Sequence, residues 1–370
     1  MRVIIFAGHH KVGSTSLQDY LSRNAVALIN AGILYPAVDF EGMSLMLARA
    51  LGREDVPENL PINAREPHNA LAFRMLAEKR SGKVPSYHKG LPAPLQMFRA
   101  IRKQVEFLKP DTVILAAEVF ANFAPADPQL INALAELFPE ADITVLFTLR
   151  RIDEYIASWQ GQRLKFGHKI EALRDDGLKH YYDNIHFDYR LMLEGWLKEL
   201  PDAKFILRDY ADVRAAGGSV QDFTTQAGLT LPDGLVPEQR TNESLHRGIY
   251  ELARLGNHAL PDPKAGALRR TLRRITGDLG LPPSGEIDLF GAQNRADLVA
   301  RFEPINTWLG EVAGREGGFF PDLETAQTCL PCPEAGLLES TIAAVLRQRD
   351  QFEDPELVDF IKSIPVAPNP

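Results

Sequence analysis

Short unbroken apolar runs alternate along this chain with segments whose apolar residues recur every three to four positions. The runs at Arg2–Ala7, Thr112–Ala117, Ile143–Leu149 and Lys204–Arg208 predict strands buried on both faces. Helical spacing predicts helices over Ser14–Asn30, Leu130–Phe138, Ile152–Phe166 and Phe187–Leu200. Leu17, Tyr20, Leu21, Ala25 and Leu28 share a face of the first, and Ile152, Tyr155, Ile156, Trp159 and Phe166 form the stripe of the third. Strands and helices alternating in this way predict an α/β fold with a central parallel sheet flanked by helices. Ligands of such sheets bind beyond the carboxyl ends of the strands.

Two departures from the alternation subdivide the chain. Residues 36–110 are a helical insertion between the first helix and the second strand, with helices predicted at Met43–Leu51, His68–Arg80 and Leu95–Leu108. It contains a basic loop, Arg80 to Gly90, and an insertion of this kind near the site suits a substrate lid. Residues 245–320 read as helical, with breaks at Leu260–Gly266 and Gly280–Gly285, so the C-terminal part is mostly helical. Residues 1–320 form the expected main domain, and the Pro-bearing stretch 321–370 reads as a C-terminal appendage.

The composition, 45% hydrophobic and 24% charged over 370 residues, is that of a soluble globular chain. A formal net charge of −8 gives no basis for nucleic-acid binding. No apolar run of about 18 residues exists, so no membrane span is expected, and the N-terminus lacks a signal-peptide pattern, so a cytoplasmic location is expected. Cys329 and Cys332 form a lone C-x-x-C, and two ligands do not close a structural zinc site. No metal is expected.

The chemistry concentrates at the start. After the first strand, Gly8 and Gly13 have the spacing of the nucleoside-triphosphate loop G-x-x-x-x-G-K-[ST], and Thr15 takes the [ST] position. Ser14, however, stands where that loop carries lysine, and Lys11 is the only lysine in it. A glycine loop leading into a helix offers backbone N–H groups and the positive helix end to an anion. The loop keeps this cradle but moves the cation, and it lacks an evident acidic strand end for Mg²⁺. A second concentration follows the third strand, where Arg150 and Arg151 precede a helix carrying Ser158.

The segment His10-Lys-Val-Gly-Ser-Thr-Ser-Leu-Gln18, with Asn24 and Ala31–Pro36 after it, resembles bacterial members of the sulfotransferase superfamily. These enzymes use 3′-phosphoadenosine 5′-phosphosulfate (PAPS) as sulfuryl donor. Val12 departs from the usual threonine and is expected to present only its backbone N–H. The resemblance covers roughly residues 1–320, with specific motifs at 9–18 and 150–158. Weaker echoes are Phe205–Tyr210, Val220–Phe223, Gly228-Leu229, Asn242–Leu245 and Asn306, in an expected helix Leu298–Leu309.

The resemblance implies that Lys11, Val12, Gly13, Ser14, Thr15 and Ser16 bind the 5′-phosphosulfate, and that Arg150 and Ser158 hold the 3′-phosphate. Lys11 would stabilise charge on the leaving oxygen of adenosine 3′,5′-diphosphate, without a metal. Glu118, ending the second strand, is the first candidate for the base that deprotonates the acceptor; glycan-modifying relatives use a glutamate. His10 and His9 are the next candidates, and His180 and His186 are more remote ones. Asp153 and Glu154, opening their helix, suit its dipole. The acceptor stays open among a sugar, a lipid-linked glycan, a small alcohol and a peptide tyrosine. A P-loop nucleotide kinase or other phosphotransferase, and a non-catalytic nucleotide-binding relative, are the alternatives.

Overall fold

Five parallel strands, β1 (Arg2–Phe6), β2 (Ile33–Leu34), β3 (Thr112–Ala116), β4 (Asp142–Leu149) and β5 (Lys204–Asp209), form one sheet in the order β2-β3-β1-β4-β5. The structure, a computed structural model, describes residues 1–53, 57, 59–239 and 244–365. The chain has the expected α/β architecture of a parallel sheet flanked by helices. Both faces of β1 are covered, since Val3, Ile4, Ile5 and Phe6 are all buried. Ile4 and Phe6 share a cluster with Leu17, Leu21, Ile114 and Phe223, so one face of the strand packs on the helix that follows it.

The chain leaves β1 for β2 and β3 on one side of it, then crosses to β4 and β5 on the other. The strand order therefore reverses at β1, the topological position at which parallel sheets of this kind bind ligands beyond the carboxyl ends. Arg2 to Phe6 pair in register with Thr112 to Ala116 and with Asp142 to Leu146, so the loop after β1 and the residues after β3 and β4 leave the sheet at one edge.

Several elements differ from the periodicity. The first helix is two, Ser14–Arg23 and Ala25–Asn30, broken at Asn24. The Asn24 amide bonds to Val236 in both directions, donating to its carbonyl at 3.0 Å and accepting its N–H at 2.8 Å. That long-range tie has no local sequence signal. β2 is only two residues, too short to show a period. Helices occur at Gln129–Ala135 and Arg190–Glu199, and in the insertion at Phe40–Ala50, Pro67–Lys79 and Pro94–Leu108. None of the described helices is long and apolar enough to cross a membrane.

The chain divides into two compact units. The first, residues 1–151, 188–242 and 312–315, contains the sheet; the second comprises residues 152–187, 243–311 and 316–370. The second unit is helical, with helices Ile152–Lys165, Tyr250–Ala259, Asp262–Ile275, Leu338–Arg347 and Pro355–Ser363 among its elements, together with most of Ala292–Val312. Its buried Arg295 bonds to Asp288 at 2.7 Å and lies 3.9 Å from Asp153. Phe166, expected in an apolar stripe, is 60% exposed because it lies beyond its helix, which ends at Lys165. Residues beyond 320 supply this unit with Cys332–Pro333, paired to Ile287–Asp288, and with Glu334, bonded to Arg174 at 2.5 Å. Asn306 is buried and braces Phe320, accepting its backbone N–H at 2.8 Å.

Candidate functional site

The first unit builds a loop between β1 and the helix Ser14–Arg23. The loop leaves the sheet without losing its backbone bonds: Ala7 N–H donates to the Leu146 carbonyl at 3.0 Å and His9 N–H to that of Thr148 at 3.1 Å. Lys11 has φ 64°, a left-handed conformation that is uncommon outside glycine and costs energy. Gly13 has φ 81° and stands at the helix N-cap. A Cβ on Gly13 would overlap Ser219 Oγ, whose hydroxyl donates to the Val12 carbonyl at 3.1 Å. Glycine is needed there for its conformation and for that close approach.

The helix opens without a side-chain cap. Its first intrahelical bond comes from Leu17 N–H to the Gly13 carbonyl, 3.3 Å, which leaves the N–H groups of Ser14, Thr15 and Ser16 outside the helical ladder. Val12 is buried in the core, so only its backbone belongs to the loop. Ser14 is buried, and Thr15 and Ser16 are half-buried.

Arg150 follows β4 directly and lies beside this loop. Its Nη1 is 3.5 Å from the Lys11 carbonyl oxygen, and its guanidinium lies over the Tyr210 ring at 5.2 Å. Tyr189 Oη donates to the Arg150 carbonyl at 2.8 Å while its ring packs 4.9 Å from that of His9. Loop and arginine are thus tied together through Tyr189. Burial, and then the Lys11 ammonium, hold the His10 pKa down at about 4 although part of the ring reaches the surface. At neutral pH the imidazole is uncharged, and Lys11 is the loop's own cation.

Glu118 opens a 3₁₀ turn, Glu118–Asn122, after β3. Each of its oxygens accepts an amide N–H, Oε2 from Gln18 at 2.7 Å and Oε1 from Asn69 at 3.1 Å. Gln18 lies on the loop's own helix and Asn69 on the insertion helix Pro67–Lys79. Asn69 Nδ2 also donates to Glu66 at 3.1 Å, so one amide bridges two carboxylates. Burial and the Glu118 charge raise the Glu66 pKa against the lowering effect of Arg65, 2.7 Å away. Tyr35, buried near Glu66, Glu118 and Asp19, has its pKa raised well above the usual phenol value, chiefly by desolvation.

Most of the other predicted residues belong to the second unit. Ser158 is half-buried on the helix Ile152–Lys165, in the second unit, whereas Arg150 belongs to the first. His180 and His186 also belong to the second unit. Asp153 and Glu154 occupy the first turn of their helix. Of the Asn242–Leu245 segment, Asn242 and Glu243 lie outside the described residues.

No protein-family model matches the chain, and no curated protein matches it. Among solved structures it is similar to a sulfotransferase from Alicyclobacillus acidocaldarius, with 15% identity over 85% of this chain and 97% of that one, at a TM-score of 0.36. A likeness of that size says nothing about chemistry, which has to come from the residues.

Chemically, the first unit offers a strained glycine loop with N–H groups outside the helical ladder, a lysine inside it and an arginine against it. It also offers a carboxylate held by two amides, one of them on the loop's helix. Sequence reasoning missed Asn69, Glu66, Tyr35, Tyr189 and Ser219. Gln18 closes the sequence motif, and its position four residues past Ser14 carries it one turn along the helix.

Proposed function

We propose that this chain is a sulfotransferase that moves a sulfuryl group from PAPS to a hydroxyl or amine of an acceptor. The loop carries the reading. Its glycine cradle and uncapped helix start suit an anion, and its cation is Lys11, not a lysine after Gly13 as in loops for nucleoside triphosphates. The fit to the donor rests on the uncapped N–H groups of Ser14, Thr15 and Ser16, with Lys11 in the loop and Arg150 beside it.

When bound, PAPS supplies the sulfuryl group in an already activated anhydride. The N–H groups of residues 12–16 bind the 5′ anionic group, and Arg150 binds the 3′-phosphate by charge-assisted hydrogen bonds. Lys11 places an ammonium charge where negative charge grows on the leaving oxygen; loss of one such preorganised group costs on the order of 10²–10³-fold. Glu118 accepts the proton of the acceptor hydroxyl, worth roughly 10²–10⁴-fold. Gln18 and Asn69 hold its carboxylate in place for that step.

The test is transfer from radiolabelled PAPS to acceptors in an extract of the source cell. Wild-type protein is expected to label a product, and Lys11→Ala to lose at least about 10²-fold in turnover with an unchanged melting temperature. Wild-type turnover in Lys11→Ala would remove the leaving-group role.

A further inference from the structure

Within the second unit, the segment 152–187 lines an open cavity of about 390 Å³ that the loop chemistry does not use. Trp159, Arg163, Lys169, His180, Asn184 and His186 line it, together with buried Tyr181, and no carboxylate is among the lining residues. Spacing puts Tyr155, Trp159 and Arg163 on one helix face. The periodicity predicts Trp159 as core, yet it remains half-buried at the cavity wall. Its indole stacks on His186 with centroids 4.3 Å apart, and Tyr155 Oη bonds to His186 Nδ1 at 2.7 Å, which fixes the imidazole.

Opposite charge is missing from this wall. The Arg163 guanidinium lies 5.7 Å from the Tyr181 ring and spends one N–H on Tyr181 Oη at 3.4 Å. A guanidinium has five N–H donors in a fixed fork, so most of its capacity remains for a ligand. Lys169 and His180 are exposed at the rim. Asp176, whose carboxyl is held below its usual range by Lys179 and more weakly by His180, is paired with Lys179 at 2.6 Å. In a chain of net charge −8 such a cavity concentrates positive charge locally.

We propose that this cavity binds an acidic sugar: a pyranose ring bearing a carboxylate or sulfate. The C–H face of the ring packs on Trp159, the anion meets Arg163 and Lys169, and ring hydroxyls meet His180. An apolar ligand would strip water from two cations without replacing it, whereas an acidic sugar matches both the aromatic wall and the charge. A nucleotide phosphate carries the same pairing of ring and anion, so the experiment separates the two. The inference does not depend on the reading of the loop, since binding here needs no transfer.

Calorimetry on the full chain would use a tetrasaccharide alternating glucuronate and N-acetylglucosamine, its neutral carboxyl-reduced form, and adenosine 3′,5′-diphosphate as competitor. The acidic tetrasaccharide is expected to bind about tenfold or more tightly than the neutral one, and about tenfold less tightly to Arg163→Gln. Lys169→Gln, at an exposed position, should weaken it with an unchanged melting temperature, which separates a binding effect from a folding one. Absence of binding at millimolar tetrasaccharide, or equal affinity in both variants and wild type, would overturn the proposal. So would displacement by adenosine 3′,5′-diphosphate whose own affinity falls in Arg163→Gln, which would assign the cavity to a nucleotide.

Discussion

Replacing Gly13 with alanine perturbs the loop in two ways that can be separated. The first is conformational. At φ 81° an alanine sits in the left-handed region, at a cost of about 1–2 kcal/mol, offset by about 0.4–1 kcal/mol because alanine leaves the unfolded chain fewer states to lose. The second is steric: the new Cβ overlaps Ser219 Oγ. The hydroxyl can rotate away, but it then gives up its 3.1 Å bond to the Val12 carbonyl, worth about 0.5–1.5 kcal/mol. The net loss is about 0.5–3 kcal/mol, or a few degrees of melting temperature. In a Ser219→Ala background the hydroxyl is already gone, and its Cβ lies 3.2 Å from the new one. There Gly13→Ala should cost less by about 0.5–1.5 kcal/mol, the coupling a double-mutant cycle measures. Urea denaturation of the four proteins gives both numbers. If Gly13→Ala melts with wild type, or costs the same in either background, the loop is not built as described.

Two further predictions concern the candidate base and the loop histidine. Glu118→Gln should leave donor affinity nearly unchanged and lower turnover by roughly 10²-fold or more, because an amide fills the same space between Gln18 and Asn69 but accepts no proton; a matching loss of donor affinity would make the glutamate a support for the loop instead. His10 takes up a proton near pH 6.5 when unfolded but only near pH 4 when folded. Between these values the unfolded state binds more protons, so stability falls as pH drops through that window, and His10→Gln should remove on the order of 1–3 kcal/mol of that loss. Urea midpoints at pH 7 and pH 5 check this, and an unaltered pH slope in the variant would show that His10 is not held neutral.

What was legible in the sequence is what local pattern encodes. Val3–Ala7 is an unbroken apolar run and Ile143–Leu149 is interrupted only by the buried Thr144 and Thr148, and both mark central strands, since a strand covered on both faces carries such near-continuous apolar runs. The position of Arg150 just past β4 puts it beside the loop once the strands are parallel neighbours. The residues around Glu118 could not be read this way. Gln18 lies 100 positions away and Asn69 lies 49 away in the helical insertion, so their convergence depends on chain crossovers and not on spacing. The tie of Asn24, where the two helices meet, to Val236 is a long-range effect of the same kind. The exposure of Phe166 depends on where a helix stops, which periodicity locates poorly.

Calorimetry in EDTA decides whether the loop and Arg150 recognise the two ends of an adenosine 3′,5′-diphosphate, as proposed. The expected result is that this diphosphate binds far more tightly than adenosine 5′-monophosphate or ATP. Arg150→Ala should abolish most of that preference while leaving the monophosphate unchanged, because the arginine contributes only through the 3′-phosphate. Equal affinity for the three nucleotides, or a preference for ATP that appears only with Mg²⁺, would contradict the account.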